Sequence, residues 1–421
     1  MWLDVKRLLA ARSCWIDCMS LDPETQEDGV CLVRPDEGMD SISQVDESVP
    51  AGFLWKAWIH MLASNDYVPE KNMFAHPFDW RLPPELLEQR DRSFSRLQRK
   101  IELVVEEQED DVNVLDPGVT LVALSLGNLY VQYFFKYLET ELGNKGLEKW
   151  VEKHVYALVM AGAPYLGAVG PIRAVLVGDP NGLPITYEES RDLMLTFGSM
   201  PWMFPHEIQS KSPSKLYSMM NHGETHFPVN VVEVEMQDGS VISPKNKNVL
   251  NGFFRDVDGD GRLKTLQNNL DRYYKNDRNI FDGKVLTPFV PPKGIDHVIS
   301  VYVRALICFL IHLLRGFPRV TTTKIKHPCL TQLYPRLAII PLEHRYGVNI
   351  PTPVGARYKE QSTKGFFDEV ELITNDGGKI TSSLTSRSAI PKARSYRARQ
   401  SGDGTVPYVV FERVQSYRFL L

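Results

Sequence analysis

The sequence predicts an α/β fold with a parallel sheet. Two buried-strand signatures flank one amphipathic stretch. "GVTLVAL", Gly118 to Leu124, is a short continuous apolar run bounded by glycine, as a strand covered on both faces requires. "HVYALVMAGAP", His154 to Pro164, is a second such run ending in small residues. Between them "NLYVQYFFKYLETEL", Asn128 to Leu142, carries apolar residues at helical period. Strand, helix, strand in that order gives a right-handed crossover in a parallel sheet.

The flanking elements follow in order. "PPELLEQRDRSF" opens a helix over residues 83–105 with prolines and early acids. Leu87, Phe94, Leu97, Ile101 and Val104 then keep the helical period. "EEQEDDVN" reads as a solvated acidic turn. Beyond residue 205, polar loops, short strands and prolines dominate to about residue 295. Residues 296–345 fit no clear pattern, and 354–402 read as a long irregular excursion. Arg387, Lys392, Arg394, Arg397 and Arg399 make that excursion basic, as a solvated loop or one touching anionic lipid headgroups.

The 421 residues, 43% hydrophobic, suffice for a full core. A net charge of −4 gives no global attraction for nucleic acid, and none is expected as a partner. Five cysteines are too few for a disulfide scaffold. Cys14 and Cys18 have no second ligand pair nearby to complete a metal site. The N-terminal residues lack the uninterrupted apolar core of a signal peptide, and no N-glycosylation sequon is present. "VISVYVRALICFLIHLLRGF", Val298 to Phe317, is apolar but interrupted by Arg304 and His312. It reads as a packed helix, with a membrane-docking helix as the alternative.

Ser125 ends the first apolar run, inside Ala123-Leu124-Ser125-Leu126-Gly127. Small residues two before and two after a serine, between strand and helix, fit the G-x-S-x-G nucleophile elbow of α/β-hydrolases, with alanine for the first glycine. From this stretch alone Ser125 reads either as a nucleophile or as an ordinary strand-end serine. Asp403, in "RQSGDGTVPY", sits where a late loop aspartate would follow the serine in chain order, although such a sequence is also a common turn.

Together these pieces resemble the lecithin:cholesterol acyltransferase family. "CWIDCMSLDPETQEDGV" resembles its segment after the lid, and "RPDEGMDSI" its oxyanion loop. "HPFDWRL" matches its aspartate–tryptophan–arginine motif, and "LEQRDRSFSRLQRKIE" the helix beyond. "SLGNLYVQYFFKYL" matches the elbow. "AGAPYLGAVGPIRAVLVGDPNGLPI" and "PWMFP" match the strand and loops that follow. "YGVNIPTP" and "SGDGTVPY" match late core strands. The stretch "LEKWVEKHVYALVMAGAPYLG" is most similar to plant-type phospholipid:sterol acyltransferases, with phospholipid:diacylglycerol acyltransferases next.

The resemblance implies one α/β-hydrolase-type domain over 1–421 with lid and cap insertions. Residues 1–60 would be lid-adjacent and carry the oxyanion loop, and 61–205 would hold the core and elbow. Residues 206–295 would be a cap-like insertion, 296–345 an unmatched segment, and 346–421 the late core with the acid loop. It implies transfer of a fatty acyl chain from a phospholipid to a sterol or diacylglycerol hydroxyl, at a membrane or lipid surface, with no cofactor. Ser125 would be the nucleophile and Asp403 the orienting acid. The backbone of Leu126 and the loop at Gly38 and Met39 would form the oxyanion hole, with Asp79 and Trp80 supporting the site. Family members work commonly in the endoplasmic reticulum lumen or outside the cell, and this chain carries no address for either.

Three departures qualify this expectation. The last of the ten histidines is His344, so none follows Asp403 where the family keeps its triad histidine. Against the family pattern the chain starts inside the lid region, and it reads as truncated at both ends. Cys14 would lose a lid partner and stay a free buried cysteine. Residues 296–345 have no family counterpart. A phospholipase that uses water, or an inactive lipid-binding homologue, is therefore the alternative expectation.

"DVDGDGRLKTLQ", Asp256 to Gln267, resembles a calcium loop, with Asp256, Asp258 and Asp260 at ligating positions. Its twelfth position is Gln267 in place of the bidentate glutamate, and carboxylates at a helix start need no metal, so none is expected.

Overall fold

The computed structural model describes residues 5–43, 55–110, 117–164, 167–180, 183–204, 232–243, 253–258, 261–274, 297–301, 352–363, 365–376, 379–384 and 396–397. The N-terminal part is helical: α1 (Val5–Ala10), α2 (Arg12–Met19), a single turn α3 (Asp40–Ser43) and α4 (Lys56–Ala63). Trp58 of α4 packs on Val159 and Ala161, over the sheet described next.

The predicted 83–105 helix is two helices, α5 (Pro84–Gln89) and α6 (Ser93–Glu109). Helical periodicity runs through the break, so the break leaves no mark in the apolar pattern. Arg92 adopts φ 53°, and the Glu88 carboxylate accepts the N–H groups of Phe94 at 2.9 Å and Ser95 at 3.0 Å. A carboxylate on the unsatisfied N–H groups of a new helix start stabilises that start and so favours the break. Phe94, Leu97, Ile101 and Val105 form the buried ridge of α6.

The next three elements agree with the sequence pattern. Strand β1 (Val119–Leu124) leads through Ser125 into α7 (Leu126–His154), which leads into β2 (Val155–Ala161). The predicted helix ends at Gly143, where φ is 69° and ψ 166°, and a second helical piece continues beyond that break. Tyr130, Tyr133, Phe134 and Tyr137 recur at helical spacing along α7. They surround Phe94, with ring centroids at 4.8, 5.4, 6.4 and 5.8 Å. Such ring pairs add about 0.5–1.5 kcal/mol each beyond their area burial.

Helices α8 (Val169–Leu176) and α9 (Tyr187–Leu195) and a 3-10 turn at Met200–Met203 follow. Beyond them lie β3 (Val232–Glu235), β4 (Val241–Ile242), α10 (Phe253–Asp258) and α11 (Lys264–Tyr273). Then comes β5 (His297–Val301), which pairs parallel to β2 from Ala157↔His297 to Ala161↔Val301. With β1 parallel on the other side, β2 is the central strand of the sheet β1-β2-β5. Val298–Val301 therefore begins the apolar run as a strand, which corrects the packed-helix expectation there. A β-branched start to an apolar run satisfies a parallel sheet as well as a helix core.

Residues 354–402 are not one irregular excursion. They carry most of β6 (Thr352–Glu360), then β7 (Phe367–Asp376), β8 (Lys379–Leu384) and β9 (Tyr396–Arg397). These extend a second sheet of order β4-β3-β6-β7-β8-β9, in which β3 and β6 run parallel and the other pairs antiparallel. Its charges are spent across strands: Arg357 pairs with Glu233 at 3.0 Å and Glu371 at 3.1 Å, and Lys359 with Glu235 at 2.7 Å. Opposite-charge pairs on one face stabilise a strand that composition alone reads as loop. Among the described residues, no helix is long and apolar enough to cross a membrane.

Phe94 is fully buried at the centre of the aromatic cluster. Phe94→Ala is expected to cost about 3–5 kcal/mol. A lower urea midpoint at unchanged m-value would show it.

Candidate active site

Ser125 holds the junction of β1 and α7 at φ 49°, ψ −121°. Positive φ is disfavoured for any side chain, so surrounding bonds must hold it. The Ser125 N–H donates to the Ala161 carbonyl at 2.9 Å, and the Asn128 N–H donates back to the Ser125 carbonyl at 3.0 Å. The Asn128 side chain clamps both chains, donating to the carbonyls of Ser125 and Ala161, each at 2.9 Å. Asn128 is fully buried while Ser125 is exposed. The sequence reading missed Asn128. Its signal was an amide among apolar residues, three positions after the serine. Gly127 is less constrained than the motif suggests: a Cβ there meets only Ala123 Cβ, at an ordinary 3.9 Å.

Ser125 opens into a cavity of about 1820 Å³. Leu126, Met39, Asp79 and Trp80, all singled out in the sequence, line the same cavity. Leu126 is the first residue of α7, where the N–H has no acceptor within the helix. Gly38, at φ 81°, turns the chain into α3, and its carbonyl accepts from the Ser41 hydroxyl at 2.6 Å. Among the described residues, no histidine is hydrogen-bonded to Ser125. Asp403 lies outside the described residues.

Asp79 and Arg81 form a buried ion pair, 5% and 1% exposed. Arg81 Nε and Nη2 reach the two Asp79 oxygens at 2.9 and 2.7 Å, and Arg90 Nη2 adds a bond at 2.6 Å. Burial alone raises the Asp79 carboxyl, but the hydrogen bonds and charges of Arg81 and Arg90 outweigh it and hold it below its ordinary value. Arg81 also donates to the carbonyls of Met19 at 3.1 Å and Val33 at 3.2 Å, and to Asp28 at 3.2 Å. This fastens the N-terminal segment to the core. Trp80, between the two charges, packs edge-on against Phe197 at 5.1 Å.

Cys18 and Cys31 form a disulfide, a pairing the sequence reading did not identify, with Cα atoms 4.7 Å apart. Cys14 is free and exposed, not buried. Trp15 and Met19 are the buried residues of α2, and Cys14 lines the open cavity into which Ser125 faces. Asp256 and Asp258 belong to α10, the first exposed and the second buried, so they do not converge as loop ligands. Asp258 accepts the Leu263 N–H at 2.6 Å. Asp260 lies outside the described residues, among which no group of three metal-ligating side chains forms.

A family model described as lecithin:cholesterol acyltransferase matches residues 1–283. The chain is 31% identical over 265 residues to the phospholipid–sterol O-acyltransferase of Arabidopsis thaliana, covering 57% of this chain and 40% of that protein. It is 27% identical over 263 residues to the phosphatidylcholine-sterol acyltransferase of Gallus gallus, covering 60% and 59%. It is 36% identical over 157 residues to phospholipid:diacylglycerol acyltransferase 1 of Arabidopsis thaliana, covering 37% and 22%. The chain thus spans less than two thirds of each relative.

Asp79→Asn is expected to destabilise the fold by about 3 kcal/mol at neutral pH, since it leaves buried guanidinium charge uncompensated. A depressed carboxyl contributes stability above its unfolded value of 3.8, lost as pH falls through its folded value. Denaturant midpoints between about pH 5 and pH 3 should therefore fall less steeply in the variant than in the wild type. Asp28, also depressed, keeps some slope in both.

Proposed function

The chain belongs to the lecithin:cholesterol acyltransferase family, and on that premise we propose that it moves a fatty acyl chain from a phospholipid to the hydroxyl of a sterol or diacylglycerol, through an acyl-Ser125 intermediate. The observation that carries the proposal is Ser125 itself, an exposed serine at φ 49° where β1 turns into α7, opening into the large cavity. A serine spared such strain would serve a strand end equally well.

In this mechanism the Ser125 hydroxyl adds to the donor ester carbonyl while a base takes its proton. Negative charge on the carbonyl oxygen is held by the Leu126 N–H and a second donor from the turn at Gly38 and Met39. The tetrahedral centre collapses, and the lysophospholipid leaves as an alcohol with the proton from the base. A lipid hydroxyl then attacks the acyl-serine and gives its proton to the base, and the ester departs as Ser125 regains a proton. Asp403 would orient the base, as a triad carboxylate does. Asp79 and Trp80 would keep the cavity wall in place beside the serine.

A mainly apolar cavity favours a lipid alcohol over water, because each buried methylene contributes about 0.8 kcal/mol. Trp55, Trp58, Leu121 and Met203 supply such walls. The donor and acceptor are lipids, so the reaction would take place at a membrane or lipid surface.

The test uses the full chain with vesicles of phospholipid carrying a labelled acyl chain, together with sterol and diacylglycerol. Labelled sterol ester or triacylglycerol is expected, falling at least about 1000-fold in Ser125→Ala. Ester formation that survives Ser125→Ala would overturn the proposal. Free fatty acid as sole product would indicate a phospholipase.

A further inference from the structure

One polar cluster on the cavity wall is not used by the acyl-transfer chemistry. His76, from the loop before Asp79, places Nε2 2.9 Å from the Tyr130 hydroxyl and 3.2 Å from the Ser93 hydroxyl. Ser93 and Tyr130 are themselves 2.8 Å apart. The three come from a loop, the start of α6, and α7 five residues beyond Ser125. Phe78 stacks on the Tyr130 ring at 4.4 Å and Phe94 packs against it at 4.8 Å, so the ring is fixed. His76 and Tyr130 both line the cavity that Ser125 opens into.

Ser93 and Tyr130 share two hydroxyl hydrogens between them, and either can satisfy the other. His76 then uses only Nε2, and Nδ1 has no hydrogen-bond partner among the described residues. The imidazole is kept neutral: burial first, then the positive charges of Arg96 and Lys100, lower its pKa to about 4. Those two cations are engaged elsewhere, Arg96 with Glu37 and Lys100 with Glu70 at 3.3 Å. A neutral imidazole nitrogen either donates or accepts, depending on tautomer. A hydroxyl is the ligand group that meets both cases. A phosphate, which only accepts and prefers a cation, fits only one of them.

We infer that His76, backed by Ser93 and Tyr130, takes the free hydroxyl of a lipid alcohol that occupies the cavity. The inference rests on the acyl-transfer proposal for what enters the cavity. It adds where the acceptor's hydroxyl is met. An apolar body buried against tryptophan and methionine gains from leaving water, but a hydroxyl carried with it is costly to bury unpaired. The cluster supplies a partner beside the aromatic rings of Phe78 and Tyr130 on the cavity wall, which would help to select alcohols over hydrocarbons of the same shape. His76 is a positioning and specificity residue here, distinct from the base of the serine.

Binding tests this without turnover. Dehydroergosterol, delivered from cyclodextrin to the full chain, is read by energy transfer from the cavity tryptophans, among them Trp15, Trp55, Trp58 and Trp80. Its 3-deoxy analogue is titrated in parallel. His76→Leu and Tyr130→Phe are each expected to weaken dehydroergosterol about tenfold and the analogue less than about twofold. Displacement by a diacylglycerol, with the same loss in the variants, would extend the site to glycerolipid alcohols. No displacement would restrict it to sterols. Equal weakening of alcohol and analogue, no weakening of either, or no binding of either alcohol would overturn the inference. Tyr130→Phe keeps the ring packing and carries the test if His76→Leu fails to fold. Failure of acyl transfer appears in the vesicle assay and leaves this binding result intact.

Discussion

The buried pair of Asp79 and Arg81 is the constraint on which the rest of this structure depends. Two residues apart in sequence, they meet through two side-chain bonds, and Arg90 closes the carboxylate's remaining side. Taking such ions out of water costs several kcal/mol each, and only a fully bonded geometry offsets it. Arg81 meets that condition by reaching the carbonyls of Met19 and Val33 and the carboxylate of Asp28. The consequence is topological. The N-terminal segment, which packs few residues of its own into the core, is held where its continuation through Met39 walls the cavity beside Ser125. The disulfide between Cys18 and Cys31 closes the same segment on itself.

The elbow is a second local solution to the same problem of holding polar groups at a buried junction. Positive φ at Ser125 exposes its side chain, and the cost is met by Asn128, which bonds the ends of β1 and β2 together. Strand, turn and helix then act as one unit. The parallel pairing of β1 and β2 brings the Ala161 carbonyl to the serine, so the site is built by the sheet and not by the loop alone.

The sheet core was readable because its strands are continuous apolar runs and its helix keeps one period up to Gly143. The elbow was readable because small residues flank a serine where the run ends. What escaped had a physical reason in each case. Glu88 caps α6 through a side chain, and no periodicity records that. β5 hides in a longer apolar run. β6 carries charges that pair across strands, so Arg357 and Lys359 look like loop residues until Glu233, Glu235 and Glu371 stand beside them. Asn128 and the cluster of His76, Ser93 and Tyr130 depend on contacts across the fold. The role of Asp403 rested on family resemblance, and that residue lies outside the described structure.

The central claim is that Ser125 is an activated nucleophile facing a mainly apolar cavity. A long-chain alkylphosphonate nitrophenyl ester, incubated with the folded full chain and followed by peptide mass mapping, tests it directly. The account predicts one equivalent of nitrophenol released and one phosphonyl adduct on Ser125. An adduct on a different residue, or an unmodified Ser125 in folded protein, would contradict it.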